Sequence, residues 1–80
     1  MSVRVLFLGP LADLAGEDAR ELPAPLDWQS LLDACDDLLR AELRSGRVNI
    51  AVRGRVIDDP TELRAGEGDE VALLPPVSGG

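Results

Sequence analysis

The segment from Asp27 to Leu43 constrains the fold more than any other. Trp28, Leu31, Leu32, Cys35, Leu38, Leu39 and Leu43 recur at i, i+3, i+4 and i+7 spacing, while Gln29, Ser30, Asp33, Asp36, Asp37 and Arg40 take the opposite side. Asp27 suits an N-cap, and Ser45-Gly46 ends the pattern. The spacing predicts one long helix with one apolar stripe, which something must cover. In a chain of 80 residues there is room for one core only.

The cover comes from short alternating segments. Val3, Val5 and Phe7 point one way, and Arg4, Leu6 and Leu8 the other, until Gly9-Pro10 ends the strand. Leu11 to Ala15 reads as a helical turn that Gly16 stops. Asp18 to Leu22 reads as a second strand closed by Pro23 and Pro25. Past the helix, Val48, Ile50 and Val52 alternate with Asn49, Ala51 and Arg53. Gly54 then turns the chain into a short return strand, Arg55-Val56-Ile57. Glu70 to Leu74 is a last strand, and Pro75-Pro76 cannot donate to a ladder. The order β-β-α-β-β-β is an α+β layout. Its simplest form is a β-grasp: a mixed five-stranded sheet packed on one main helix over residues 1–74, followed by an extended tail over residues 75–80. The expected core is Val3, Val5, Phe7, the helix stripe, Val48, Ile50, Val52, Val71 and Leu73, with Cys35 and Trp28 as packing residues and the acidic helix face in water.

Composition closes most routes to a self-contained enzyme. All eight basic residues are Arg, against 15 acids, for a net charge of −7. This balance opposes binding to nucleic acid, which needs cations on phosphates. Trp28 and Phe7 are too few for base stacking. With no His and one Cys there is no zinc set and no Ser–His or Cys–His pair. No apolar run approaches the roughly 18–20 residues of a membrane span. Met1-Ser2-Val3-Arg4 does not open like a secretory leader. With a lone Cys, the expectation is a reducing, cytoplasmic setting and no stably bound cofactor.

Two features remain. The sheet face turned away from the helix carries Arg4, Leu6, Leu8, Asn49, Ala51, Arg53, Ala72 and Leu74 by alternation. That is too apolar for a plain solvent face and points to a partner patch with Arg around it, the alternative being scattered surface residues. The second is the ending Pro75-Pro76-Val77-Ser78-Gly79-Gly80, which can span roughly 20 Å. After Glu70 no side chain is charged. Composition alone leaves the tail open between a thin probe for a narrow channel and a frayed, linker-like end.

The stretches Val3-Arg4-Val5-Leu6-Phe7-Leu8, Leu11-Ala12-Asp13-Leu14-Ala15-Gly16 and Gly68-Asp69-Glu70-Val71-Ala72-Leu73-Leu74-Pro75-Pro76-Val77-Ser78-Gly79-Gly80 resemble the MoaD family of ubiquitin-like sulfur carriers, the small subunits of molybdopterin synthase. The resemblance runs the whole length. It implies that an E1-like enzyme uses ATP to adenylate Gly80, that a sulfur donor protein converts the acyl-adenylate to a thiocarboxylate, and that this delivers sulfur to cyclic pyranopterin monophosphate for the molybdenum cofactor. It implies docking on the large synthase subunit in a heterotetramer, so the chain is not catalytic alone. Gly80 would carry the sulfur and Gly79 would permit close approach. Pro75, Pro76, Val77 and Ser78 would line the partner's channel. Leu8, Val56 and Leu74 match apolar contact positions, Val56 by resemblance only, while Arg4, Arg53 and Arg55 are weaker polar contacts. Arg53 stands where the family commonly has Asn, and Leu74 where it commonly has Phe. The alternatives are a carrier for thiamine or tRNA thiolation, a ubiquitin-like modifier joined to Lys on targets, and a simple interaction module whose tail is inert.

Overall fold

A computed structural model describes residues 1–75. The sequence-predicted tail residues Pro76, Val77, Ser78, Gly79 and Gly80 lie outside the described residues. The elements run β1 (Ser2–Phe7), α1 (Pro10–Ala15), β2 (Ala19–Pro23), β3 (Leu26–Asp27), α2 (Trp28–Asp33), α3 (Asp37–Arg44), β4 (Asn49–Val52), β5 (Arg55–Ile57), a 3-10 turn (Pro60–Glu62), β6 (Arg64–Ala65) and β7 (Glu70–Leu74). Five strands form one sheet in the order β2-β1-β7-β4-β5. β1 and β7 are parallel at its centre, and the other pairs are antiparallel. The mixed five-stranded sheet expected from the alternation is therefore present. No helix among the described residues is long and apolar enough to cross a membrane.

The core lies between this sheet and the helices. Val3, Val5 and Phe7 of β1, Ile50 and Val52 of β4, and Val71 and Leu73 of β7 are buried against Leu31, Leu39 and Leu43. Burying a side chain of this kind contributes about 1.5–3 kcal/mol. Leu11, Leu26, Leu63 and Ala65 join them. Their segments are too short to show a period. The pair β3–β6, in register Leu26↔Ala65 and Asp27↔Arg64, escapes sequence reading for the same reason.

The single long helix does not form. It is two helices, broken at Ala34-Cys35-Asp36. Asp36 has extended backbone, and its carboxylate accepts from Leu39 N–H at 2.9 Å, which makes it the N-cap of α3. Asp competes with the helix for local backbone donors, so an Asp-Asp pair inside an apolar stripe can start a new helix as readily as continue the old one. The carbonyls freed at the break find donors in two Arg side chains. Arg20 Nη1 donates to Ala34 at 2.8 Å, Arg40 Nε to Leu32 at 3.0 Å, and Arg40 Nη2 to Cys35 at 2.7 Å. The break also resets the phase of the stripe. Leu39 and Leu43 stay buried, but Leu38, expected in the core, is 70% exposed. Cys35 packs inside as expected. Its thiol donates to the Leu31 carbonyl, and burial pushes its pKa up.

Candidate functional site

Residues paired across a sheet share a face, so the register shows what the uncovered side presents. One row runs Val56 (β5), Ala51 (β4), Ala72 (β7), Leu6 (β1) and Ala19 (β2). Every member is apolar, and the two at its centre, Ala51 and Ala72, are small. Val56, expected from the resemblance alone, lies directly opposite Ala51 and is 52% exposed. A second row, Glu70–Arg4–Glu21, alternates charge across β7, β1 and β2. Ser2 Oγ donates to Glu21 there at 2.9 Å. Because β7 runs from Glu70 to Leu74, the charged row lies at its start and the apolar row toward the tail. The face is therefore graded, apolar where the chain leaves the sheet.

Leu74 is half-buried and pairs with Asn49 of β4. Leu8 is one residue past β1, and its N–H donates to the Leu73 carbonyl at 3.3 Å, so it stays against β7 at the same end. Leu8 is exposed. From β1 to β5 the face spans three strand spacings, about 14 Å. Apolar side chains stand at both margins, with the small Ala51 and Ala72 between them.

Arg53 differs from the alternation. β4 ends at Val52, and Arg53 with Gly54 makes the two-residue turn into β5. Both have positive φ, 52° and 81°, the type I′ pattern that right-twisted hairpins favour. Arg53 is the one non-glycine residue with positive φ among those described. The turn explains why Asn suits this position, since Asn tolerates left-handed backbone. The Arg53 guanidinium leaves the sheet face and donates from Nη1 to Asp69 Oδ2 at 2.7 Å. The same oxygen accepts from Gly66 N–H at 2.8 Å. The Gly66 bond, helped by the Arg53 charge, holds the Asp69 carboxyl below the usual carboxylate range.

Pro75 is half-buried at the root of the tail, beside the corner at Gly9. Of the predicted site residues, the structure gathers Leu8, Val56, Leu74 and Pro75 around the apolar end of the open face and puts Arg53 at the neighbouring hairpin turn. Gly9 was not among them. Its signal in the sequence, a Gly-Pro pair, reads equally well as a plain strand end. Among the described residues, no three His, Cys, Asp or Glu side chains are grouped to hold a metal ion.

A mixed sheet with parallel first and last strands at its centre, laid over helices on one face, is a ubiquitin-like β-grasp. The chain belongs to the ThiS family, whose profile matches residues 5–80. It is 33% identical over 82 aligned positions to the molybdopterin synthase sulfur carrier subunit of Escherichia coli K12, covering 98% of this chain and 99% of that one. Among solved structures it is similar to the complex of subunits 1 and 2 of molybdopterin-converting factor from Helicobacter pylori 26695, with a TM-score of 0.69, 32% identity and all of both chains covered. It is similar also to small archaeal modifier protein 1 of Methanosarcina acetivorans, with a TM-score of 0.74, 25% identity, and 99% and 96% of the two chains covered.

Proposed function

We propose that this chain is the sulfur carrier subunit of a molybdopterin synthase. The observation that carries the proposal is the end-to-end match to the Escherichia coli carrier, 33% identical with 98% of this chain covered. The apolar end of the open face adds to it, since a carrier must dock on larger proteins while its tail reaches into them. The Helicobacter pylori complex of two converting-factor subunits makes a large synthase subunit the natural partner.

In this reading the carboxylate of Gly80 attacks the α-phosphorus of ATP on an E1-like enzyme, and pyrophosphate leaves. A persulfide on a donor protein then displaces AMP at the acyl carbon, and a second thiol cleaves the resulting acyl disulfide, leaving a thiocarboxylate and a protein disulfide. Docked on the large subunit, that sulfur goes to cyclic pyranopterin monophosphate. The chain supplies a docking face and a slim acyl end, and its partners supply the acid–base groups it lacks. The experiment is intact mass after incubation with the E1-like enzyme, ATP and a sulfur donor. Replacement of one oxygen by sulfur supports the carrier, and an unchanged mass in the presence of a competent enzyme refutes it.

The likeness to small archaeal modifier protein 1 favours a second reading, transfer of the Gly80 acyl group to Lys amines on target proteins. Conjugates in host lysate that vanish when Gly80 is deleted would establish it.

A further inference from the structure

We propose that Arg4 fixes the direction in which the open face docks, by pairing with a carboxylate on the large synthase subunit. The inference rests on the carrier reading and assigns the chemistry of the partner's surface. The open face has two unlike rows. Leu6, Ala72, Ala51 and Val56 belong to the apolar one, and the row Glu21–Arg4–Glu70 lies two residues nearer the start of β1 and β7. The rows are about 7 Å apart, and neighbours within a row about 5 Å. All three charged residues are exposed. Among the described residues Arg4 closes no ion pair within 4 Å, although it stands between two Glu. Glu21 accepts the Ser2 hydroxyl at 2.9 Å. Arg53, next along the row, gives its backbone N–H to the Glu70 carbonyl at 3.0 Å but sends its guanidinium to Asp69. Arg4 is therefore the one cation that the five strands present on this face, and its guanidinium is available for a carboxylate to meet edge-on.

A partner that covers the apolar row must also meet the charged one. To leave no charge buried and unpaired, it must carry a carboxylate opposite Arg4 with a cation on either side. Turned half a circle in the plane of the sheet, the same partner would lay that charged strip on Leu6 and Ala72 and an apolar surface on Arg4. The row thus acts against the wrong orientation more than it adds affinity to the right one. β7 ends at Leu74, beyond the apolar row, so the direction of docking decides where on the partner the tail root arrives.

The test is affinity for the large synthase subunit, measured by calorimetry. Arg4→Glu makes the row three acids and is expected to bind roughly tenfold or more weakly. Arg4→Gln, which adds no repulsion within the sheet, should also bind more weakly, by a smaller factor. Arg44→Glu makes the same change of net charge at the exposed end of α3, on the helix side, and should bind like the unsubstituted chain. The decisive variant exchanges the charges, Arg4→Glu with Glu70→Arg. It keeps the net charge and the make-up of the row but misplaces the cation, and should stay roughly tenfold or more weaker. Full recovery in the exchange, or an equal loss in Arg44→Glu, would mean that total charge rather than position matters, and overturns the proposal. Unchanged affinity in both Arg4→Glu and Arg4→Gln overturns it as well. No binding by the unsubstituted chain removes the carrier reading and this proposal together, whereas binding that ignores residue 4 removes the proposal alone.

Discussion

Arg53 Nη1 and Gly66 N–H converge on one oxygen, Asp69 Oδ2, at 2.7 and 2.8 Å. A single carboxylate thus ties the β4–β5 turn to the turn that launches β7. The strand that ends at the tail root is thereby linked, beyond its ladder with β4, to the hairpin that carries Val56.

The two partners of this link should respond differently to substitution. Arg53 is mostly exposed, and a pair of that kind contributes little on its own. Its positive φ also carries a strain of roughly 1–2 kcal/mol that Asn relieves. Arg53→Asn is therefore expected to be neutral or slightly stabilising in denaturant unfolding, and Asp69→Asn destabilising, because the latter also weakens the acceptor for Gly66 N–H. Arg53→Val, β-branched at positive φ, should be the worst of the three.

Acid should unfold the chain in a defined window. Asp69 is held below its ordinary pKa chiefly by Gly66 N–H, Asp27 by Ser30 N–H, and Asp59 by the Thr61 hydroxyl. A carboxyl whose folded pKa is depressed binds more protons when unfolded. Its contribution is therefore complete above the unfolded value, about 3.9, and is lost as pH falls through the lower folded value. Melting temperatures should be level from pH 7 to about pH 5 and fall below about pH 4. Asp69→Asn should fall less steeply than the unsubstituted chain over the same range.

The docking face is tested at Val56. At 52% exposure it contributes little to the fold, so Val56→Glu should leave unfolding within about 0.5 kcal/mol. Against the large synthase subunit the same charge would be buried opposite Ala51, and affinity measured by calorimetry should drop tenfold or more. Leu74→Glu should do likewise, with a larger stability loss because Leu74 is half-buried. Undiminished affinity in both variants removes this face from docking.

What the sequence disclosed follows from how regular each segment is. β1, β4 and β7 alternate over four or more residues, so both their core side and the open face are legible, down to Leu6, Ala51 and Ala72. The helix was legible in its apolar residues but not in its continuity. Periodicity cannot see that Asp36 caps a new helix while Arg20 and Arg40 satisfy the old one from far along the chain. Arg53 was misplaced onto the sheet because alternation does not mark where a strand yields to a turn with positive φ. The closeness of Gly9 to Pro75 joins residues far apart along the chain, which no local pattern encodes.

The helix break carries its own prediction. Asp36→Ala removes the side-chain acceptor for Leu39 N–H and should cost about 1 kcal/mol in unfolding, the usual worth of an N-cap. Asp33→Ala, exposed and without a cap to supply, loses an i,i+4 bond from Gln29 Nε2 and should cost no more than about 0.5 kcal/mol. Equal effects would mean that Asp36 does not start the second helix.

The most direct measurement is the intact mass of the chain purified from its own host and again after exposure to the E1-like enzyme, ATP and a sulfur donor. A species with one oxygen replaced by sulfur, mapped by fragmentation to Gly80 and discharged on adding the large subunit with cyclic pyranopterin monophosphate, is the predicted result. A chain that is adenylated yet never acquires sulfur, and passes instead to Lys on other proteins, contradicts it.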